Sequence, residues 1–207
     1  MKWQRLVQAL FLIGFIGVMA TGRVQLWMLV FAGSLIGAVL LSRFYCGWLC
    51  PINTLTDVVN GLYRKMKWKR KPVPGWAKSP WVRLVVLAAF LGILFMTIRT
   101  GRRLPVLPAL TVLGVVLTLV FVPAFWHRYL CPYGTLLSLP GKFARLHWFV
   151  KKEDCTGCNV CVRVCPAEAV AVDSTTHKAQ IDKSLCLACT ACAKACPTET
   201  ILFGKEA

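Results

Sequence analysis

Cys155-Thr156-Gly157-Cys158-Asn159-Val160-Cys161-Val162-Arg163-Val164-Cys165-Pro166 is followed by a second run, Cys186-Leu187-Ala188-Cys189-Thr190-Ala191-Cys192-Ala193-Lys194-Ala195-Cys196-Pro197. Both runs read C-x2-C-x2-C-x3-C-P. Soft thiolates suit iron–sulfur centres, and a cubane needs one at each of four iron corners. The x2 gaps let three sulfurs of one tight loop reach three corners, so the fourth must come from elsewhere. The proline after each fourth cysteine discourages a helix from running through that point. Zinc also takes four thiolates but gives no reason for the x3-C-P ending. A disulfide framework requires an oxidising compartment.

This spacing resembles the two-[4Fe–4S] ferredoxin family over about residues 148–207. The resemblance implies interlocked halves, in which the fourth cysteine of each run serves the other run's cluster. Cys155, Cys158, Cys161 and Cys196 would hold one cube. Cys186, Cys189, Cys192 and Cys165 would hold the second. Within the module, Ala169–Val172 and Lys178–Ile181 read as a small hairpin and Ile201–Phe203 as a terminal strand, giving an α+β fold.

Working outward, the rest of the chain is of another kind. Of 207 residues 57% are hydrophobic and only 16% charged, against about a quarter charged in an ordinary soluble protein. The net charge is +17. Residues 1–150 hold 18 Lys and Arg and one acid, Asp57, whereas residues 151–207 hold seven of each sign. The basic stretches flank apolar runs. That pattern fits topology signals facing anionic lipid and argues against nucleic acid as a partner.

Four apolar runs predict a four-helix transmembrane domain over residues 1–147, with spans at about 4–20, 24–42, 81–98 and 106–126, followed by the ferredoxin-like domain at 148–207. The first run also has the charge and length of a signal peptide ending at Val18-Met19-Ala20. Thr54 to Met66 reads as a helix lying on the membrane surface, ended by Pro72 and Pro74. Pro123 predicts a kink at the end of the fourth span, and 141–150 reads as a joining segment. Lys and Arg number two in residues 1–5, eight in 61–83 and five in 128–152. The opposite side has Arg23, Arg99, Arg102 and Arg103. This excess places both termini and the cysteine module in the cytoplasm, where thiols stay reduced.

The apolar part carries its own repeat. Phe44-Tyr45-Cys46-Gly47-Trp48-Leu49-Cys50-Pro51-Ile52-Asn53-Thr54-Leu55 recurs in register as Phe125-Trp126-His127-Arg128-Tyr129-Leu130-Cys131-Pro132-Tyr133-Gly134-Thr135-Leu136. On an α-helix, residues i and i+4 share a face, so Cys46 and Cys50 are predicted to present two sulfurs together. Cys46, Cys50, His127 and Cys131 form a candidate site for iron, an iron–sulfur cluster, zinc or copper. Buried thiols and an interfacial histidine can equally serve packing alone. His147 and His177 read as ordinary interface and turn residues. The aromatic residues around both motifs suit a membrane interface and would also suit a quinone head group.

These features together resemble the NapH/NosR/CcoG-type membrane proteins, over essentially the whole chain. His127 departs from the second cysteine usual there. The resemblance implies a bacterial inner-membrane protein that relays single electrons between a quinol or redox partner protein and cytoplasmic [4Fe–4S] clusters, supporting a respiratory reductase or its maturation. It also implies an alternative, a copper or metal reductase or assembly factor using Cys46, Cys50, His127 and Cys131. No flavin or nucleotide motif is present, so a relay subunit is expected rather than a stand-alone enzyme. A structural subunit whose clusters only stabilise its tail is the third reading.

Overall fold

The computed structural model describes residues 2–100 and 105–205. The fold is mostly helical, with a small cysteine-rich α+β module at its C-terminal end. The helices are α1 (Lys2–Ala20), α2 (Val24–Leu41), α3 (Phe44–Trp48), α4 (Pro51–Met66), α5 (Pro80–Thr100), α6 (Val106–Val120) and α7 (Pro132–Gly141). A 3₁₀ turn at Gly75–Lys78 and a π-helix at Phe125–Leu130 interrupt them. Then follow β1 (His147–Val150), α8 (Val160–Val164), β2 (Val170–Val172), β3 (Ala179–Ile181), α9 (Ala191–Ala195) and β4 (Ile201–Gly204).

Among the described residues, two helices are long and apolar enough to cross a membrane, within Trp3–Ala20 and Pro80–Thr97. Gln25–Leu41 and Val106–Val120 are apolar but shorter. α1 ends in a Schellman turn. Gly22 takes φ +67, Arg23 N–H donates to Val18 O at 3.2 Å, and α2 starts at once. The expected turn around Arg102 and Arg103 lies outside the described residues.

Three boundaries differ from the sequence expectations. The fourth apolar helix stops at Val120 rather than 126. Pro123 has no N–H and forces its predecessor out of the helical region. That predecessor is Val122; Phe121, which caps the helix, is already extended, and Lys71 exchanges backbone hydrogen bonds with Val120 and Val122 at 3.0 Å each. The surface helix begins at Pro51 rather than Thr54, because proline fits the first helical position. Its Val58, Leu62 and Met66 are exposed while Asn53 and Thr56 are buried, an outward-facing apolar stripe. Finally, 141–150 is more than a joiner. α7 runs to Gly141, and β1 pairs antiparallel with β4, Val150 opposite Ile201 and His147 opposite Gly204.

The cysteine module repeats itself at the backbone level. α8 and α9 recur in step with the two cysteine runs, and the β1–β4 pair matches the β3–β2 pair at nearly the same offset. Left-handed residues recur in step too, Gly157 with Ala188, Asn159 with Thr190, and Glu168 with Glu199. Val150, Cys161, Val170, Ala179, Cys192 and Ile201 form its core.

The chain divides into two compact units. One comprises the described residues up to Thr54 and from Leu137 onward; the other is Leu55–Leu136. The cysteine module therefore shares a unit with α1, α2 and α3. In the second unit Val73, Ala77, Ala124 and Phe125 make a small core, and Tyr63 Oη donates to Leu119 O at 2.7 Å.

Candidate iron–sulfur centres

All eleven cysteines are among the described residues, and none of them forms a disulfide. Cys155, Cys158, Cys161 and Cys196 line one hollow, together with Gly157, Pro197 and Thr198. Cys155 and Cys158 come from the loop entering α8, Cys161 from its first turn, and Cys196 arrives from the end of α9. Gly157 is needed there. Its φ is +68, and a Cβ at that position would stand 2.2 Å from the His177 carbonyl oxygen.

In the second set three of the four cysteines are near one another. Cys192 lies within electrostatic reach of Cys186 and Cys165. Backbone N–H groups point at these sulfurs, Ala169 to Cys165 Sγ at 3.2 Å and Ala188 to Cys186 Sγ at 3.4 Å. Such donors stabilise thiolate charge and help set cluster potential.

Electrostatics distinguish the thiols. Burial, and then the neighbouring Cys186 and Cys165, push Cys192 up to about 12. Burial pushes Cys186 up to about 11, against the Ala188 amide, which lowers it. At Cys196 burial also raises the value, but the hydroxyls and amides of Thr198 and Thr200 overcome it and hold the thiol at about 7. A buried group of thiols that resists ionisation alone fits a cationic iron core, which supplies the missing positive charge. The residues present therefore fit [4Fe–4S] clusters.

The first copy, Cys46-x3-Cys50-Pro51 (C-x3-C-P), and the second, His127-x3-Cys131-Pro132 (H-x3-C-P), repeat in structure as in sequence. Cys50 N–H donates to Tyr45 O, and Cys131 N–H to Trp126 O, both at 2.9 Å. Thr54 and Thr135 each return a hydroxyl to the carbonyl of the preceding motif cysteine at 3.2 Å. These i to i−5 bonds make each copy a π-type turn, which corrects the expected α-helical i, i+4 presentation of Cys46 and Cys50. The cause is the proline after each second cysteine, which keeps that cysteine off the helix. Cys131, at ψ 111, is indeed extended. It caps α7 instead, accepting Gly134 N–H on Sγ at 3.4 Å.

Cys46, Cys50, His127 and Cys131 are all buried. The first two belong to the first unit and the last two to the second. His127 Nε2 shares a hydrogen bond with Thr56 Oγ1 at 3.2 Å. Among the described residues, no three His, Cys, Asp or Glu side chains gather to hold a single metal ion.

Comparison with known proteins accounts for both cysteine regions. A 4Fe-4S binding domain model matches residues 23–71 and again 104–153, so the C-x3-C-P copy and the H-x3-C-P copy each fall within one match. A 4Fe-4S dicluster domain model matches residues 154–200. The chain is a homologue of the NosR, NirI, YccM and MauN proteins. It is 23% identical over 163 residues to YccM of Escherichia coli, covering 68% of this chain and 46% of that protein. It is 27% identical over 148 residues to the regulatory protein NosR of Pseudomonas aeruginosa, covering 62% and 21%. It is 28% identical over 173 residues to the methylamine utilization ferredoxin-type protein MauN of Methylobacillus flagellatus, covering 70% and 59%. The chain thus spans about half the length of YccM and MauN, and about a fifth of NosR. The chain is therefore similar to NapH/NosR-type proteins, and its 4Fe-4S domain matches make it an iron–sulfur protein by similarity.

Sequence reasoning missed several residues that brace these sites. Gln4 and Gln8, buried on α1, both donate to Gly47 O, at 3.2 and 3.0 Å. Their signal was present: two amides one turn apart in an apolar helix. Arg83 Nε donates to Thr135 Oγ1 at 3.0 Å, tying α5 to the second motif. Nothing in the sequence pairs those two residues, which lie 52 positions apart.

Proposed function

We propose that this chain is a membrane-anchored electron relay. The observation that carries the proposal is the hollow lined by Cys155, Cys158, Cys161 and Cys196, with the matching set Cys165, Cys186, Cys189 and Cys192 assigned to the second centre. Each [4Fe–4S] cluster, when bound, supplies a one-electron carrier. The protein holds eight thiolates in two adjacent loops, directs amide donors at the sulfurs and shields Cys161, Cys186 and Cys192 from water. Cys158 is exposed, which offers a short route for exchange with a soluble redox partner.

The anchor is read as four helices, α1, α2, α5 and α6, with the termini and the cysteine module on the cytoplasmic side. α2 and α6 are short for a span, and each is followed by a turn that buries its motif cysteines. Iron–sulfur binding at the two motif turns belongs to this reading as well, supported by the matches at 23–71 and 104–153. Quinol is the proposed lipid-side reactant, and a respiratory reductase, or its maturation, the proposed beneficiary. The names of relatives support electron transport as the class of function.

The test is transient kinetics of the anaerobically purified full chain in lipid nanodiscs. After reduction by dithionite, a menaquinone analogue is expected to reoxidise the chain in one-electron steps. Exchanging Cys50 or Cys131 for Ser should slow that step while leaving the ferredoxin-type signals intact. Reoxidation equally fast in both variants would remove the motif cysteines from the route.

A further inference from the structure

The two cysteine runs have the same spacing, and the second is built against a transmembrane-type helix end within its unit. The chain at 183–190 lies along 42–48. Ser42 Oγ donates to Lys183 O at 2.7 Å, and Trp48 Nε1 donates to Ala188 O at 3.0 Å. Gly47 permits the contact, since a Cβ there would stand 2.3 Å from Leu187 O. Gln4 closes it from α1. Its Nε2 donates to Cys189 O at 3.1 Å, and its Oε1 accepts from Thr190 Oγ1 at 2.8 Å and Lys194 Nζ at 3.0 Å.

At the centre of this contact is a buried cation. Arg43 is 1% exposed. Its Nη1 donates to Leu185 O at 3.2 Å, one residue before Cys186, and its Nη2 reaches Cys46 Sγ at 3.9 Å. The corresponding site in the first run is different. Asp154 stands where Leu185 does, is solvent-exposed, and pairs with Lys151 at 2.8 Å. A charge shielded from water and salt acts far more strongly on a neighbour than an exposed one.

We propose that Arg43 is a positioning residue for the second cysteine run, fixing it against the Cys46 turn and favouring an added electron on the cluster held there. The proposal rests on the relay reading and deepens it. The second run becomes the end of the module that faces the C-x3-C-P turn, and the first run the end that faces a soluble partner. Reduction of a [4Fe–4S] cluster from the 2+ to the 1+ state takes one electron from a one-electron donor, here dithionite. No proton has to move and no bond to break. The extra negative charge is what the guanidinium offsets.

The experiment is an EPR-monitored redox titration of the full chain, purified anaerobically into nanodiscs, as wild type, Arg43→Gln and Arg43→Lys. A Cys189→Ser variant assigns the second-run signal. Arg43→Gln is expected to weaken reduction of the second-run cluster at least tenfold, a midpoint lower by about 59 mV for one electron. The first-run midpoint should stay in place. Arg43→Lys should keep most of the wild-type value. Amide exchange across 183–190, but not 156–163, should speed up in Arg43→Gln. Loss of the second-run cluster in Arg43→Gln with retention in Arg43→Lys also supports the proposal. Equal movement of both midpoints, movement of neither, or cluster loss in both variants overturns it. A wild type that shows this Arg43 dependence but is not reoxidised by the quinone analogue would instead sink the relay reading.

Discussion

The first and second cysteine runs share spacing, helix length and left-handed turns, yet they sit in different surroundings. Cys158 is exposed and its loop closes on the module's own residue, His177. Cys189, its counterpart, is partly buried, and its loop closes on Gly47, Trp48 and Gln4. Ligand spacing specifies the kind of centre, because it must match the corners of a cubane. Everything that would make two such centres differ, namely charge, burial and hydrogen bonds, comes from the parts of the chain packed against them. A repeat in sequence is therefore a repeat of chemistry but not of role.

Cysteine substitutions break the comparison most severely. Cys196→Ser lies in the second run, but it should abolish the first-run cluster, removing about four of about eight irons. Cys165→Ser should do the converse. Iron analysis and EPR distinguish these outcomes from a chain in which each run keeps its own cluster.

Thiol reactivity comes next. In the cluster-free chain slightly above neutral pH, Cys196, held at about 7, is mostly thiolate, whereas Cys192, pushed to about 12, is almost wholly protonated. Alkylation by iodoacetamide should be faster at Cys196 by on the order of a thousandfold. Peptide mass spectrometry reads the order, and equal rates would mean that the Thr198 and Thr200 contacts do not form.

The two glycines sharpen the comparison further. Gly157→Ala places a Cβ against the His177 carbonyl in a left-handed backbone and should destabilise the first-run loop by about 1–3 kcal/mol. Gly47→Ala should instead loosen the second run from the Cys46 turn at a similar cost, leaving the first-run signal unchanged. Denaturation followed by cluster absorbance separates the two. Ser42→Ala, which leaves the Lys183 carbonyl without that donor, should cost only about 1 kcal/mol.

How much of this was legible in the sequence follows from the range of each interaction. The cysteine runs, the small hairpin and the four apolar helices depend on local spacing and hydropathy, and the structure contains elements at those places. The stop at Val120 was half legible: Pro123 marked it, but the Lys71 backbone that receives the freed groups lies far back along the chain, before α5. The π-type turns at Cys50 and Cys131 were signalled by Pro51 and Pro132, and an α-helical reading overlooked the constraint on the residue before proline. The pairing of β1 with β4 joins the two ends of the cysteine module across both runs, so no local pattern announced it. Gln4 was legible as an anomaly in an apolar helix, although its partners at 189, 190 and 194 were not.

The central claim is that eight thiolates in two interlocked sets hold two cubanes. Iron and acid-labile sulfide analysis of the anaerobically purified full chain, with EPR of the reduced form, tests it most directly. The account predicts about eight irons, or more where the C-x3-C-P motifs also bind a centre, with spectra of two interacting reduced cubanes. An iron-free chain, or one whose Cys155–Cys196 thiols are found joined as disulfides, would contradict it.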